Sequence, residues 1–388
     1  MLQHSLPFSS AVFFQYMFAS IILIIISKYI LSKFIPYKLV LAFTSIAYII
    51  LLFPKPFHII GLILFLYGIL ILLRKHYKKD NIILPMVLFS LPIFVMKTTN
   101  VIPINPNSDL LKIIRIAGLS YMVFKVISLY IDTRRDDTKV SFIDFFNYTA
   151  FVPTLLIGPL DRFKRFKNDT ENGYKNITLE MGNKAITNLI LGLLFKFILA
   201  EAIRRLILAY LVDDGSIVYH LSYMYTYLFY LFFDFAGYSL LAISFGNFMG
   251  IDVPINFDKP FTALNPKEFW KKWHKSLGDW LNDYFFKPIF KYFTTKKIGT
   301  SIQRQNIALL LTFTLMGFWN GFKLHYIVSG ILFGLYSMIH NYYFYKCKKN
   351  KKDVVFGNLN LNIVKAISIF LMVNSVAFAI YIFSGKLF

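Results

Sequence analysis

Imidazoles, carboxylates and a thiol are the groups in this chain that could carry proton or acyl transfer. Their spacing excludes most familiar arrangements. Seven histidines are scattered through 388 residues with no HExxH and no paired ligand spacing. Cys347 is the only cysteine, so neither a disulfide framework nor a thiolate metal site is expected, and no bound metal or cofactor is predicted. There is no Walker loop and no GxGxxG, and Gly237-Tyr238-Ser239 lacks the closing glycine of a nucleophile elbow. What remains is polarity placed inside apolar sequence. Pro153, Gly158 and Pro159 precede Asp161 and Arg162, which are expected to pair beside a broken helix. Asp234 sits in the aromatic run Phe232–Ser239 and must be neutralised, paired or turned toward water. The densest stretch runs from Asn256–Phe261 through Glu268-Phe-Trp-Lys-Lys-Trp-His274 to Tyr284. Its tryptophans and interleaved lysines suit an interface, where indole rings and lysine stems both anchor.

The elements that must position these groups are apolar. Hydrophobic residues make up 57% of the chain and charged residues 16%, against about 45–50% and 25% in soluble domains. A water-soluble enzyme and a disordered chain are both excluded. The net charge of +22 would suggest nucleic acid on a soluble protein, but here it belongs to loops and the bilayer, and no nucleic-acid partner is expected. By the criterion of roughly 20 apolar residues per span, about eleven segments qualify. They lie near 11–31, 35–53, 57–73, 82–98, 113–131, 142–160, 185–211, 217–250, 304–321, 324–345 and 363–383. Several carry Pro, Gly or a charge, so some are expected to be re-entrant or broken, and 217–250 fits one long helix or two short ones. Basic clusters at Arg74, Lys75, Lys78 and Lys79, and at Lys346, Lys348, Lys349, Lys351 and Lys352, should face the cytosol, with the Lys28–Lys38 turn. Both termini then fall outside. The expectation is an all-α integral membrane protein, one polytopic domain over 1–388 with its core motifs within 115–345.

Five stretches taken in order carry a family resemblance: Phe151–Phe166 with its Gly-Pro-Leu-Asp-Arg core, Phe232–Ser239, Asn256–Phe261, Glu268–Asp283 and Met316-Gly-Phe-Trp-Asn-Gly321. Together they resemble the membrane-bound O-acyltransferase (MBOAT) family, and within it the branch serving teichoic-acid D-alanylation in Gram-positive bacteria. The resemblance implies a multi-span helical bundle with re-entrant and interfacial helices around a central tunnel. It also implies a D-alanyl donor held as a thioester on the 4′-phosphopantetheine arm of an acidic carrier protein. The acyl group passes to a hydroxyl reached from outside, toward lipoteichoic acid, with other membrane proteins of that pathway as partners. By the same likeness Asp161, Arg162, Asp234, Trp273 and Trp319 line the tunnel. The carrier docks on the segment holding Phe286, Lys287, Ile289, Phe290 and Lys291, where apolar and basic residues interleave in a way that suits an acidic helical partner.

A hydroxyl attacking a thioester must lose its proton, and a neutral imidazole is suited to accept it. The family places that histidine between Trp and Gly, where this chain has Trp319-Asn320-Gly321. An amide has no proton-accepting equilibrium at neutral pH, so the resemblance implies impaired or altered activity. Two explanations stand: a natural variant of the family, or a substitution that keeps size while removing the base. His325 is the obvious substitute. On a continuous helix it would lie about 7.5 Å along and about 140° around from position 320, a poor replacement unless the chain breaks at Gly321. His274 matches the family's second recurrent histidine, which shapes the tunnel. The HxxxxD pattern His274–Asp279, seen in soluble-type glycerolipid acyltransferases, again puts its two groups about 140° apart on a helix and is set aside. Other readings are an O-acetyltransferase of another cell-surface polymer, or a non-catalytic scaffold or transporter with Lys196, Glu201 and Asp234 lining a through-path.

Overall fold

The computed structural model describes residues 11–53, 55–76, 83–98, 118–350 and 360–388. His4, Lys78, Lys79, Lys351, Lys352 and the first residues of the 113–131 segment lie outside the described residues. In hydrocarbon every backbone polar group must be satisfied within the chain, and the described residues form helices without strands. They are α1 (Ala11–Ile30), α2 (Tyr37–Leu52), α3 (Pro56–His76), α4 (Ile83–Thr98), α5 (Leu119–Arg135), α6 (Phe142–Ala150) and α7 (Phe163–Glu171). Then come α8 (Leu179–Leu193), α9 (Ile217–Phe248), α10 (Pro266–Lys272), α11 (Lys275–Leu281), α12 (Lys287–Thr295), α13 (Ser301–Asn320), α14 (Leu324–Lys349) and α15 (Leu361–Ser384). Among the described residues α1, α3, α9, α15 and the continuous run Leu179–Tyr210 are long and apolar enough to cross a membrane.

One segment departs from the simplest expectation, and another settles between two open alternatives. The 142–160 stretch is not one helix: α6 stops at Ala150 and gives way to a single tight turn, Val152–Thr154. Pro153 cannot donate a helical hydrogen bond, and Gly158 adopts a positive φ of 136° that a side chain would resist. The 217–250 stretch is a single helix of 32 residues.

Two compact units divide the chain. One comprises Met1–Gly192 with Tyr238–Pro254, the other Leu193–Gly237 with Ile255–Phe388. In the first, Phe13 meets Tyr48 and Phe245 edge-on, and Ser244 Oγ donates to the Ala185 carbonyl at 2.7 Å. Lys125, 2% exposed, is satisfied by the Tyr148 carbonyl at 3.1 Å and Thr154 Oγ1 at 2.9 Å. The expected Asp161–Arg162 pair is corrected. Asp161 Oδ1 accepts from Arg165 Nε at 2.8 Å, and Arg162 supplies its backbone N–H at 2.6 Å. Arg165 lies four residues on, and in the first turn of α7 that spacing brings its side chain back over Asp161. Burial pushes the Asp161 carboxyl up, while Arg165 and the Arg162 N–H pull it down.

The second unit is organised by the α13–α14 hairpin. Thr300 and Gln303 form a capping box at the start of α13. Close to its end Gly317 faces Gly330 of α14, so the two backbones touch: a Cβ at Gly317 would stand 2.5 Å from the Tyr326 carbonyl oxygen. Helix α15 joins α14 through Ser329 Oγ, which donates to the Ala379 carbonyl at 2.8 Å. Trp270 of α10 wedges against Phe313 and Phe333, fixing α10 to the hairpin.

Candidate active site

Most of the residues singled out from sequence lie in the second unit, and they form two layers along α9. The lower layer is built on Asn256, which is fully buried. Its side-chain oxygen accepts from Ser276 Oγ at 2.9 Å and sits 2.9 Å from His274 Nδ1. Its backbone carbonyl accepts from the Lys275 N–H at 2.9 Å. An amide oxygen only accepts, so His274 carries its proton on Nδ1. His274 itself turns the chain, in the left-handed conformation (φ 46°, ψ 46°) that starts α11. Phe235 meets the imidazole edge-on at 4.7 Å. Trp273 stacks on Phe269 at 5.5 Å and is ringed by Phe232, Phe257 and Phe261. Asp279 is not its acid partner, because Lys275 Nζ holds that carboxylate at 2.7 Å.

Burial in this aromatic shell lowers the His274 pKa from 6.5 to about 3. The folded imidazole therefore stays neutral where the unfolded one charges. The stability it contributes is present above pH 6.5 and declines as pH falls from about 6.5 toward about 3. His274→Gln should flatten that part of the stability–pH curve relative to the native chain, measured by thermal unfolding in detergent at pH 7 and pH 5. An unchanged slope would remove His274 from this role.

Asp234, one residue before Phe235, is paired: Lys196 Nζ sits 2.6 Å from its Oδ1. Lys196 comes from the π-helical stretch Leu194–Ala200 that continues α8. Glu201 does not join them, because Arg204 and Arg205 hold its carboxylate.

The upper layer lies around Tyr223, twelve residues before Phe235 on α9 and so about 18 Å away along the axis. Tyr223 and Tyr227 stack at 5.5 Å, and Tyr381 of α15 meets Tyr223 at 5.9 Å. The same Tyr381 hydroxyl lies 2.6 Å from His220 Nδ1. Beside Tyr381, the Phe383 carbonyl is 2.8 Å from His325 Nδ1, and the Phe383 ring packs on Tyr326 at 4.9 Å. Asn320 turns its amide back on its own helix, donating to the Met316 carbonyl at 2.9 Å. Trp319 precedes it, partly buried. The chain does break at Gly321: α13 ends at Asn320 and α14 begins at Leu324. Gly321 has no room for a side chain, since a Cβ there would stand 2.7 Å from the Tyr326 ring.

The segment after α11 is a π-helical turn, Asn282–Phe286, leading into α12. Phe286 and Phe290 lie parallel with centroids 6.1 Å apart, Ile289 is partly exposed, and Lys287 and Lys291 stand out from the surface. Lys287 also reaches Asp283 at 2.8 Å. Asp161 and Arg162 belong to the first unit. Asn256 is not marked as a site residue by the sequence: a buried amide serving two neighbours has no signature beyond its place at the head of Asn256–Phe261. The Phe383 carbonyl, a backbone atom, has none at all.

Comparison with known proteins gives these layers a lineage. The sequence profile of the membrane-bound O-acyltransferase family matches residues 39–384. The chain is 32% identical over 410 aligned positions to the teichoic acid D-alanyltransferase of Streptococcus thermophilus, covering 100% of this chain and 96% of that one. It is 34% identical over 308 positions to the Bacillus subtilis protein of the same name, covering 77% of this chain and 76% of the relative. A peptidoglycan O-acetyltransferase of Helicobacter pylori is 31% identical over 221 positions, covering 54% of this chain and 39% of the relative. The match to the family profile takes in both layers, the Asn282–Thr295 segment and nearly every described helix, so the chain belongs to the membrane-bound O-acyltransferase family and is a multi-pass membrane O-acyltransferase.

Proposed function

We propose that this enzyme moves a D-alanyl group from a carrier-protein thioester to a hydroxyl acceptor at the outer face, toward teichoic acid. The carrier is acidic and presents the acyl group on a 4′-phosphopantetheine arm. The observation that carries this reading is α12, where exposed Lys287 and Lys291 flank the parallel Phe286–Phe290 pair shortly after Trp273 and His274 in the chain. Lysines steer an acidic partner and the paired rings hold it. The arm then enters a tunnel whose aromatic walls are Phe232, Phe235, Trp273 and Trp319, with the acceptor approaching the opposite end. The full-length likeness to proteins named teichoic acid D-alanyltransferase favours D-alanine over acetate, since the O-acetylating relative matches over a smaller share of both chains. In this orientation the basic turns near Lys28–Lys38, Arg74–Lys79 and Lys346–Lys352 lie in the cytosol and both termini outside.

A binding measurement tests the docking surface. Carrier protein bearing its phosphopantetheine arm should bind the native chain, and replacing Lys287, Lys291, Lys296 and Lys297 by Glu should weaken that binding by about tenfold or more at low salt. Phe290→Ala should weaken it in a salt-independent way. Binding that ignores both changes would count against α12 as the docking site. Ester-linked D-alanine on teichoic acid, absent from a deletion strain and restored by this chain, tests the product, and O-acetyl groups appearing instead on another polymer would replace the reading.

A further inference from the structure

Position 320 supplies no base, yet the hairpin that carries it presents another imidazole in a defined protonation geometry. His325 opens α14 and its Nδ1 lies 2.8 Å from the Phe383 carbonyl oxygen. A carbonyl oxygen can only accept, so Nδ1 carries the hydrogen and Nε2 of the neutral ring carries the lone pair. This is the arrangement a general base needs: one ring nitrogen tied to an acceptor that fixes tautomer and orientation, the other left to take a proton. Among the described residues Nε2 has no hydrogen-bond partner, and the residue keeps partial exposure. The ring is held on two sides, by Tyr326 with centroids 3.9 Å apart and by Gly385. A Cβ at Gly385 would stand 3.3 Å from Cδ2, Cε1 and Nε2 alike, so the absent side chain leaves room over the Nε2 edge. Gly385 also adopts a positive φ of 78°, a conformation that glycine takes without strain. The break at Gly321 removes the helical geometry that would have set His325 on the wrong face.

We propose that His325 is the catalytic base of this chain, acting through Nε2 in place of the imidazole that Asn320 cannot provide. This rests on the acyl-transfer reading above. The acceptor hydroxyl oxygen attacks the thioester carbonyl carbon, and its proton passes to Nε2. The carbon–sulfur bond then breaks, and the departing thiolate takes that proton back from the imidazolium. The products are the ester and the free pantetheinyl thiol, with His325 neutral again. The Phe383 carbonyl holds the ring through both transfers and polarises the Nδ1–H bond while the charge is present. Asn320, hydrogen-bonded to the Met316 carbonyl, has no part in the proton path.

The test compares purified native chain, His325→Gln, Asn320→His and the double variant in transfer from D-alanyl carrier protein, with carrier Kd measured alongside as the check on folding. His325→Gln is expected to lose about 10²–10⁴ in kcat while Kd stays within twofold. Adding Asn320→His to His325→Gln should restore transfer, since it returns an imidazole to the same hairpin. A His325→Gln chain that binds carrier and transfers at the native rate overturns the inference. So does a native chain that transfers nothing. If Asn320→His then gains activity, the functional reading stands with a dormant native site; if it too transfers nothing while binding carrier, that reading falls as well.

Discussion

Alanine at Gly317 or Gly330 is expected to cost about 1–3 kcal/mol each, and leucine at either position should leave no folded protein to recover. The reason is the nature of the obstacle. A Cβ on Gly330 would stand 2.5 Å from the Phe313 carbonyl oxygen and 3.0 Å from both the nitrogen and Cα of Gly317. These are backbone atoms of a helix, which cannot rotate aside as a side chain does. Within lipid there is no hydrophobic drive between helices, so close backbone approach at small residues supplies much of the attraction. Forcing the helices apart forfeits that packing along the whole crossing. Gly182 provides the contrast: nothing lies within 4 Å of its Cβ position, and Gly182→Ala should be no less stable than the native chain. Survival of the monodisperse protein after heating in detergent compares the three alanine variants with the native chain. There is a functional consequence too. The carbonyl that Gly317 touches belongs to Tyr326, next to His325, so Gly317→Ala should lower transfer by more than it lowers carrier binding. Equal thermal survival of Gly317→Ala and Gly182→Ala would mean that the hairpin does not depend on this contact.

How much of this was legible in the sequence depends on what kind of interaction each feature uses. Most of the helices were, because long apolar runs leave the backbone no other solution in lipid; 142–160 departed at its prolines and glycine, and among the described residues five helical runs, against about eleven expected, are long and apolar enough to cross a membrane. The aromatic setting of His274 was visible as Trp and Phe spacing around it. Side-chain partners were less so: Asp161 chose Arg165 over the adjacent Arg162, because helix geometry favours four residues over one. Asn256 became the anchor of the lower layer through contacts 18 and 20 residues away, which no local pattern encodes. His325 stands out in the sequence by its nearness to Asn320. What orients it is a backbone carbonyl 58 residues on, and every residue has a carbonyl.

Lys196 and Asp234 make the last case, because their sequence positions promised either a conducting path or a structural pair. Removing one partner should cost about 1–3 kcal/mol, below the range for a fully buried pair, because Asp234 keeps 37% of its side-chain surface exposed. Lys196→Met and Asp234→Leu are therefore each expected to lower thermal survival sharply. Made together they should recover most of the loss, since neither charge is then left behind. The reversed pair, Lys196→Asp with Asp234→Lys, should recover part of it, limited by the π-helical stretch that aims position 196 at the acid. A π-helix places residues differently from a regular turn and often marks a functional position, so a lysine set there by an irregular backbone is poorly interchangeable with a shorter aspartate. A double-mutant cycle on thermal stability in detergent yields the coupling, expected well above the 0.3–0.5 kcal/mol scatter of independent sites. Activity separates the two roles. If the pair only braces α9 beside Phe235, the Met/Leu double variant should transfer acyl groups at close to the native rate. If the charges themselves conduct an ion or a polar solute, stability will return in that variant while function does not.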